Sequence, residues 1–196
     1  MKHLRTLIFV LFLYLPLSAQ YIVGINYDIS VPGGELKDFI SETSLLGFSS
    51  AGRVYVDKNK SVGLNIGWTR FLQTSDEPLY HDGKWYYGVQ QRSVYIMPFL
   101  LNFHYYFNVT KDTRLFAGVN AGFYYVIQKF KLNKEKLLDN TLHPGFAPDA
   151  GIIQTLSSGV RGILGVRYNY VIPVRNSANF NYWNFYIGFV IQTSYF

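Results

Sequence analysis

The sequence predicts an all-β fold, an eight-stranded antiparallel transmembrane β-barrel of the outer-membrane type that follows a cleaved signal peptide. Three observations carry this prediction: a short apolar leader, a composition rich in aromatic residues and glycine but poor in charge, and period-two alternation in eight successive segments.

The leader combines Lys2 and Arg5 with an apolar run from Leu7 to Leu17 and a small-residue exit, Ser18-Ala19-Gln20. A positive start, a short apolar centre and small residues before the cut form the pattern of a secretory signal peptide. A spanning helix needs roughly 20 apolar residues, more than this run supplies. Residues 1–19 are therefore expected to be removed, leaving 20–196 as one barrel domain. The absence of cysteine excludes a lipoprotein anchor, a cysteine metal site and a disulfide framework.

The formal charge of +6 includes Lys2 and Arg5, and the remaining basic residues are scattered rather than clustered in a stripe, so nucleic acid is excluded as a partner. Aromatic residues make up 18% of the chain, with 17 Tyr, and 17 Gly accompany them while only 15% of residues are charged. A barrel in lipid accounts for this mixture. Its outside must be apolar, its aromatic rings favour the two interfaces, and its narrow lumen admits Gly and small polar side chains.

Along each strand of such a barrel one parity faces lipid and the other the lumen. The first segment is the cleanest: Tyr21, Val23, Ile25, Tyr27, Ile29 and Val31 alternate with Gly24, Asn26, Asp28 and Ser30. In the second, Leu46 to Asp57, the outward Phe48, Val54 and Val56 oppose Ser49, Ala51 and Arg53. The third, Ser61 to Phe71, sets Val62, Leu64, Ile66 and Trp68 against Gly63, Asn65, Gly67 and Thr69. The fourth, Ser93 to Phe107, has Tyr95, Met97, Phe99, Leu101, Phe103, Tyr105 and Phe107 outward, with Pro98, Asn102 and His104 inward. The fifth, Leu115 to Gln128, directs Val119, Phe123, Tyr125 and Ile127 outward and Gly118, Asn120 and Gly122 inward. The sixth, Phe146 to Leu156, alternates least clearly, with Ala150, Ile152 and Leu156 opposite Asp149, Gly151 and Thr155. In the seventh, Val160 to Ile172, Leu164, Val166, Tyr168 and Tyr170 oppose Gly165, Arg167 and Asn169. The eighth, Tyr182 to Phe196, turns Trp183, Phe185, Ile187, Phe189 and Ile191 outward.

Connection lengths supply an independent check. Lys58-Asn59-Lys60, Asn108 to Asp112 and Ser157-Ser158-Gly159 are short and rich in turn formers, whereas Pro32 to Leu45, Gln73 to Arg92, Lys129 to Gly145 and Pro173 to Asn181 are long. Strict alternation of long and short predicts both termini in the periplasm and four long loops outside the cell. Soluble eight-stranded barrels carry their apolar face inside, the inverse of this pattern.

The stretches DFISETSLLGFS (Asp38 to Ser49), VGLNIGW (Val62 to Trp68), MPFLLNFHYYF (Met97 to Phe107), GVNAGFYY (Gly118 to Tyr125), GFAPDAG (Gly145 to Gly151), LGVRYNY (Leu164 to Tyr170) and IGFV (Ile187 to Val190) resemble the small outer-membrane β-barrel family of Bacteroidetes, similar in architecture to OmpX and OmpA-type barrels. The resemblance spans nearly the whole mature chain and implies a barrel without specifying a function. Outer-membrane barrels usually end on an outward aromatic residue read by the barrel-insertion machinery. Here the outward phase falls on Ile191, Thr193 and Tyr195, so Phe196 is one step out of register and a bulge near Gln192 or use of Tyr195 is expected.

The candidate functional residues are the inward charges and one basic loop. A three-residue turn Ser157-Ser158-Gly159 would pair Leu156 with Val160 and place Asp149 opposite Arg167 as a lumenal ion pair, part of a polar plug. Asp28 and Arg53 are the other lumenal charges. His104 also faces inward, with no carboxylate beside it in sequence, and His81 and His143 fall in separate loops, so no metal site is expected. A lipid A hydrolase would need a serine with a positioned histidine, and the rim serines Ser30, Ser75 and Ser93 have none nearby in sequence, so the chain is not expected to be an enzyme or to need a cofactor. The loop with Lys129, Lys131, Lys134 and Lys136 is a candidate anion-binding surface for lipopolysaccharide phosphates. The loop with Tyr80, Trp85, Tyr86 and Tyr87 is as aromatic as a binding surface for a protein partner, and strand extension above the membrane is the equal alternative. These features suit a structural or surface-interaction barrel that contacts outer-membrane lipid and lipopolysaccharide. A carrier of hydrophobic molecules, or an accessory subunit of a secretion apparatus, are the alternatives.

Overall fold

The computed structural model describes residues 21–192 apart from 77–78, 82, 87, 89, 133–134 and 175–176. The leader, Tyr87 and the terminal residues Thr193, Tyr195 and Phe196 lie outside the described residues. The chain runs through β1 (Tyr21–Pro32), a six-residue helix α1 (Gly34–Phe39), β2 (Gly47–Asp57), β3 (Lys60–Ser75), a small hairpin of β4 (Leu79–His81) and β5 (Lys84–Tyr86), then β6 (Gln90–Asn108), β7 (Thr113–Leu132), β8 (Glu135–Ser157), β9 (Val160–Val171) and β10 (Tyr182–Gln192). All but β4 and β5 join one closed antiparallel barrel in the order β1-β10-β9-β8-β7-β6-β3-β2. No described helix is long and apolar enough to cross a membrane.

Alternation decides which way each side chain points. Along β1 the burial pattern switches at every residue, with Ile25 67% exposed and Asn26 4%. Leu64, Leu101, Leu164 and Ile187, on β3, β6, β9 and β10, are exposed on the outside of the barrel. An apolar exterior around a polar interior is stable only against lipid, where closure also leaves no strand edge unpaired.

Five of the expected strand segments sit within observed strands, while the second starts one residue before β2, the seventh ends one residue past β9 and the eighth runs past Gln192 out of the described residues; several connections also differ. Lys129 to Gly145 is mostly strand, because β7 and β8 stay paired from Thr113↔Gln154 to Leu132↔Glu135. Gln73 to Arg92 likewise shrinks, since β3 and β6 remain paired out to Ser75↔Gln90. Beyond the lipid both faces meet water and the apolar alternation fades, yet backbone N–H and C=O groups still need partners, so the ladders continue. Pro32 to Leu45 carries α1 and a bridge between Ser30 and Ser44.

The last short turn is Ser158-Gly159 rather than three residues, with Gly159 at φ +81 as a tight hairpin requires. Ser157 pairs with Val160, and a bulge between Thr155 and Ser157 restores the rungs Thr155↔Arg161 to Asp149↔Arg167. A similar bulge between Tyr55 and Asp57 follows pairing of Asp57 with Lys60.

The interior is layered. At the turn end lies an apolar cluster that includes Ile22, Tyr106, Phe116, Ile153, Ile163 and Val190. At the loop end a larger one gathers Phe71, Val94, Ile96, Leu100, Tyr124 and Val126 beneath Leu36, Phe39 and Ile40 of the α1 segment. Between them sits a polar layer.

Candidate functional site

Asp149 is the hub of that polar layer. Its Oδ2 accepts from Arg167 Nε at 3.2 Å and Nη2 at 3.1 Å, and its Oδ1 accepts the Tyr186 hydroxyl at 2.6 Å. Both charged side chains are buried, so each needs the other, since an isolated ion there would carry a large desolvation penalty. Arg167 donates its remaining Nη1 to Asn65 Oδ1 at 3.2 Å, reaching from β9 to β3 on the opposite side of the barrel. The Arg167 guanidinium also lies over the Tyr186 ring, 5.1 Å from its centroid.

Arg53 reaches Asp149 through two amides. Arg53 Nε donates to Asn102 Oδ1 at 2.8 Å, Asn102 Nδ2 donates to Asn120 Oδ1 at 2.6 Å, and Asn120 Nδ2 donates to Asp149 Oδ2 at 3.3 Å. All these dipoles point the same way, positive to negative. Asp28 and Arg53 do not pair with each other: Asp28 accepts from Ser49 at 3.0 Å, and Ser49 accepts from Asn26 at 3.2 Å. Ser30 joins Thr69 and Asn184 at 3.3 and 2.7 Å.

His104 does have a carboxylate beside it. Its Nε2 lies 3.3 Å from Asp149 Oδ2 and 2.9 Å from Asn102 Nδ2, and its ring stacks on Phe116 at 4.8 Å. The sequence hides this neighbour because β6 and β8 are not adjacent, so no ladder offset relates the two residues. Asn102 and Asn120 share a rung between β6 and β7, whereas the contacts of Asn65 with Arg167 and of Asn102 with Arg53 join strands that are not neighbours and are likewise invisible to spacing rules. His143 belongs to β8 rather than to a loop. Its Nδ1 lies 3.1 Å from the Ile172 carbonyl and its Nε2 2.6 Å from the Thr141 hydroxyl. Donation from Nδ1 leaves Nε2 to accept the hydroxyl proton, a local tie between strand and loop. No group of three or more metal-binding side chains occurs among the described residues.

The inward glycines have a steric role. His104 faces Gly118, Phe116 faces Gly151 and Tyr186 faces Gly165 across neighbouring strands. A Cβ at any of these glycines would come within 2.6 Å of the opposing ring. Each large ring therefore fits because its neighbour has no side chain.

At the loop end α1 is tied to the wall. The Asn179 N–H donates to Glu35 Oε2 at 2.8 Å, and Arg92 Nη1 donates to the Phe39 carbonyl at 3.2 Å. Of the candidate anion-binding lysines, Lys129 and Lys131 lie on β7 rather than in a loop. Lys129 Nζ lies 4.6 Å from the centre of the Tyr95 ring. Lys131 shares a rung with Lys136, while Lys134 and the side chain of Lys136 lie outside the described residues.

No protein-family model matches the chain, and no curated protein matches it in sequence. Its fold does match solved structures. Neisserial surface protein A superposes with a TM-score of 0.63 at 11% identity, covering 89% of this chain and 97% of that one. The outer membrane protein OprG from Pseudomonas aeruginosa gives a TM-score of 0.55 at 11% identity, covering 90% and 97%. At such identity the likeness is one of fold, and the fold of this chain is the small, closed, eight-stranded antiparallel barrel of outer-membrane proteins.

Proposed function

We propose that this chain is a non-enzymatic outer-membrane barrel with a plugged lumen, exported by its leader and serving a structural or surface-recognition role. The observation that carries the reading is the Arg167–Asn65 contact, which crosses the lumen at mid-height between opposite walls. Buried apolar layers above and below, the upper one seated under α1, support it further. Small barrels fill their interiors with side chains in this way, whereas open channels need many more strands.

With the lumen closed, interaction falls to the exterior and the loop end. Lys129, Lys131, Lys134 and Lys136 then serve as contacts for lipopolysaccharide phosphates, and the hairpin bearing Trp85 as a surface for a protein partner. The motif resemblance to small barrels of Bacteroidetes fits this assignment. Planar-bilayer recording tests the plug. Wild type and Arg167→Ala should both lack an ohmic conductance, with the variant less stable to heat; a large steady current from wild type would overturn the reading. Deleting residues 76–89 and, separately, 130–138 should leave envelope permeability unchanged while reducing surface binding.

The apolar layer beneath α1 favours a second reading, uptake of a hydrophobic molecule after α1 leaves its seat. A disulfide engineered to hold α1 to β6 would abolish uptake on that reading and change nothing on the first.

A further inference from the structure

Three neighbouring strands set two cations around one outward-facing phenol. Arg70 on β3 shares a rung with Tyr95 on β6, and Lys129 on β7 shares one with Ser93, two residues along the same strand. Arg70 Cζ lies 5.3 Å and Lys129 Nζ 4.6 Å from the Tyr95 ring centre. Because β3 and β7 flank β6 on opposite sides, the ring stands between the two positive groups. Neither has a carboxylate partner among the described residues, and Arg70 Nε is buried without a hydrogen-bond partner.

Toward the membrane centre from Tyr95 the wall is apolar and grooved. Trp68 lies against Tyr95 at 6.3 Å and Phe48 against Trp68 at 5.9 Å. A groove of about 440 Å³ is lined by Phe48, Ile66, Gly67, Trp68, Met97 and Phe99. It lies over a gap in the ladder: β3 and β6 pair at Ile66↔Phe99 and again at Thr69↔Ile96, but not between. Pro98 sits in the gap and has no N–H to donate.

We infer that this cation pair and groove form a specific site for a phosphate-bearing lipid in the loop-end leaflet. The phosphate sits at the hydroxyl edge of Tyr95, reached by Arg70 from one side of the ring and by Lys129 from the other, and one acyl chain lies in the groove. Cations at a membrane interface attract anionic head groups, and the guanidinium fork suits phosphate oxygens. The groove distinguishes a lipid from free phosphate. The inference rests on the membrane-embedded reading above and narrows its surface contact to one place.

The test reconstitutes the full barrel in phosphatidylcholine vesicles doped with lipid A or with its dephosphorylated form, followed by native mass spectrometry of retained lipid. Wild type should hold phosphorylated lipid A over the dephosphorylated form, and Arg70→Gln/Lys129→Gln should lower retention by about tenfold. Phe99→Ser should weaken it as well, and inorganic phosphate should not compete. Arg161→Gln, at the opposite end of the barrel, is the control and should retain lipid as wild type does. Equal retention of both lipids, an unaffected double variant, or full competition by inorganic phosphate would each overturn the site. Failure of wild type to insert at all would instead overturn the membrane reading, and the site with it.

Discussion

The ring of Tyr186 lies directly against Gly165, its cross-strand partner between β10 and β9, so closely that a Cβ on Gly165 would stand 2.3 Å from the ring Cζ. That contact aims the Tyr186 hydroxyl at Asp149, 2.6 Å away. Gly165→Ala should therefore push the ring off its carboxylate and cost about 1–3 kcal/mol, as overpacking in a tight core does. Gly52→Ala is the control, because nothing lies within 4 Å of a Cβ there. Its effect should stay within about 0.5 kcal/mol in urea unfolding from vesicles.

The Asp149–Arg167 pair predicts strong asymmetry between single and double substitution. Asp149→Leu leaves a buried guanidinium without its counter-charge and should destabilise by about 3–5 kcal/mol. Adding Arg167→Met should recover more than half of that loss in the same unfolding assay. A double variant no more stable than Asp149→Leu would show that the stranded guanidinium is not what destabilises the single variant.

Asn102 and Asn120 belong to one chain of donors and should behave as a unit. Asn120→Leu leaves Asn102 Nδ2 and the Ala147 carbonyl short of a partner, a loss of about 1–3 kcal/mol. Once either link is gone the second matters less, so combining it with Asn102→Leu should fall short of additivity by more than about 0.5 kcal/mol. Strictly additive losses would deny the relay.

Helix α1 is held by few bonds and a small apolar face, so it should open locally. The Ile40 amide donates to the Leu36 carbonyl at 2.7 Å, and Leu36 is buried against the loop-end cluster. Leu36→Ala should speed hydrogen exchange at Ile40 at least tenfold while the global unfolding midpoint moves little, the signature of local rather than global opening.

The strands were legible because a bilayer imposes a two-state choice at every second residue, as Ile25 and Asn26 illustrate. The sixth segment, Phe146 to Leu156, alternates least clearly, and β8 extends back from it through Pro144 to Glu135. β8 nonetheless pairs with β7 through Pro144 and Pro148, since only one ladder side loses a donor, and its ladder to β9 skips from Phe146↔Tyr170 to Asp149↔Arg167. Turn length relates neighbouring strands, but counting from Ser158-Gly159 alone would set Asp149 opposite Tyr168; the rung with Arg167 follows only because the bulge between Thr155 and Ser157 shifts the register by one, as a three-residue turn would. Contacts across the lumen obey no such count. Asn102 and Asn120 share a rung, but alternation says only that Asn65 and His104 face inward, and the curvature of the closed sheet brings them to Arg167 and Asp149. The extent of the long hairpins was less legible for another reason: their backbone pairing persists where the apolar signal has stopped.

The cross-lumen bonds carry a consequence for assembly. Arg167 finds Asn65 only when walls that are far apart in a flat sheet have been rolled together. A half-built sheet inserted in lipid would leave Arg167 and Asn65 without this bond, at a cost of about 1–3 kcal/mol for the unsatisfied groups. Insertion without closure is therefore an unfavourable stopping point, and the last rungs between β1 and β10 should form together with the polar layer in one cooperative step.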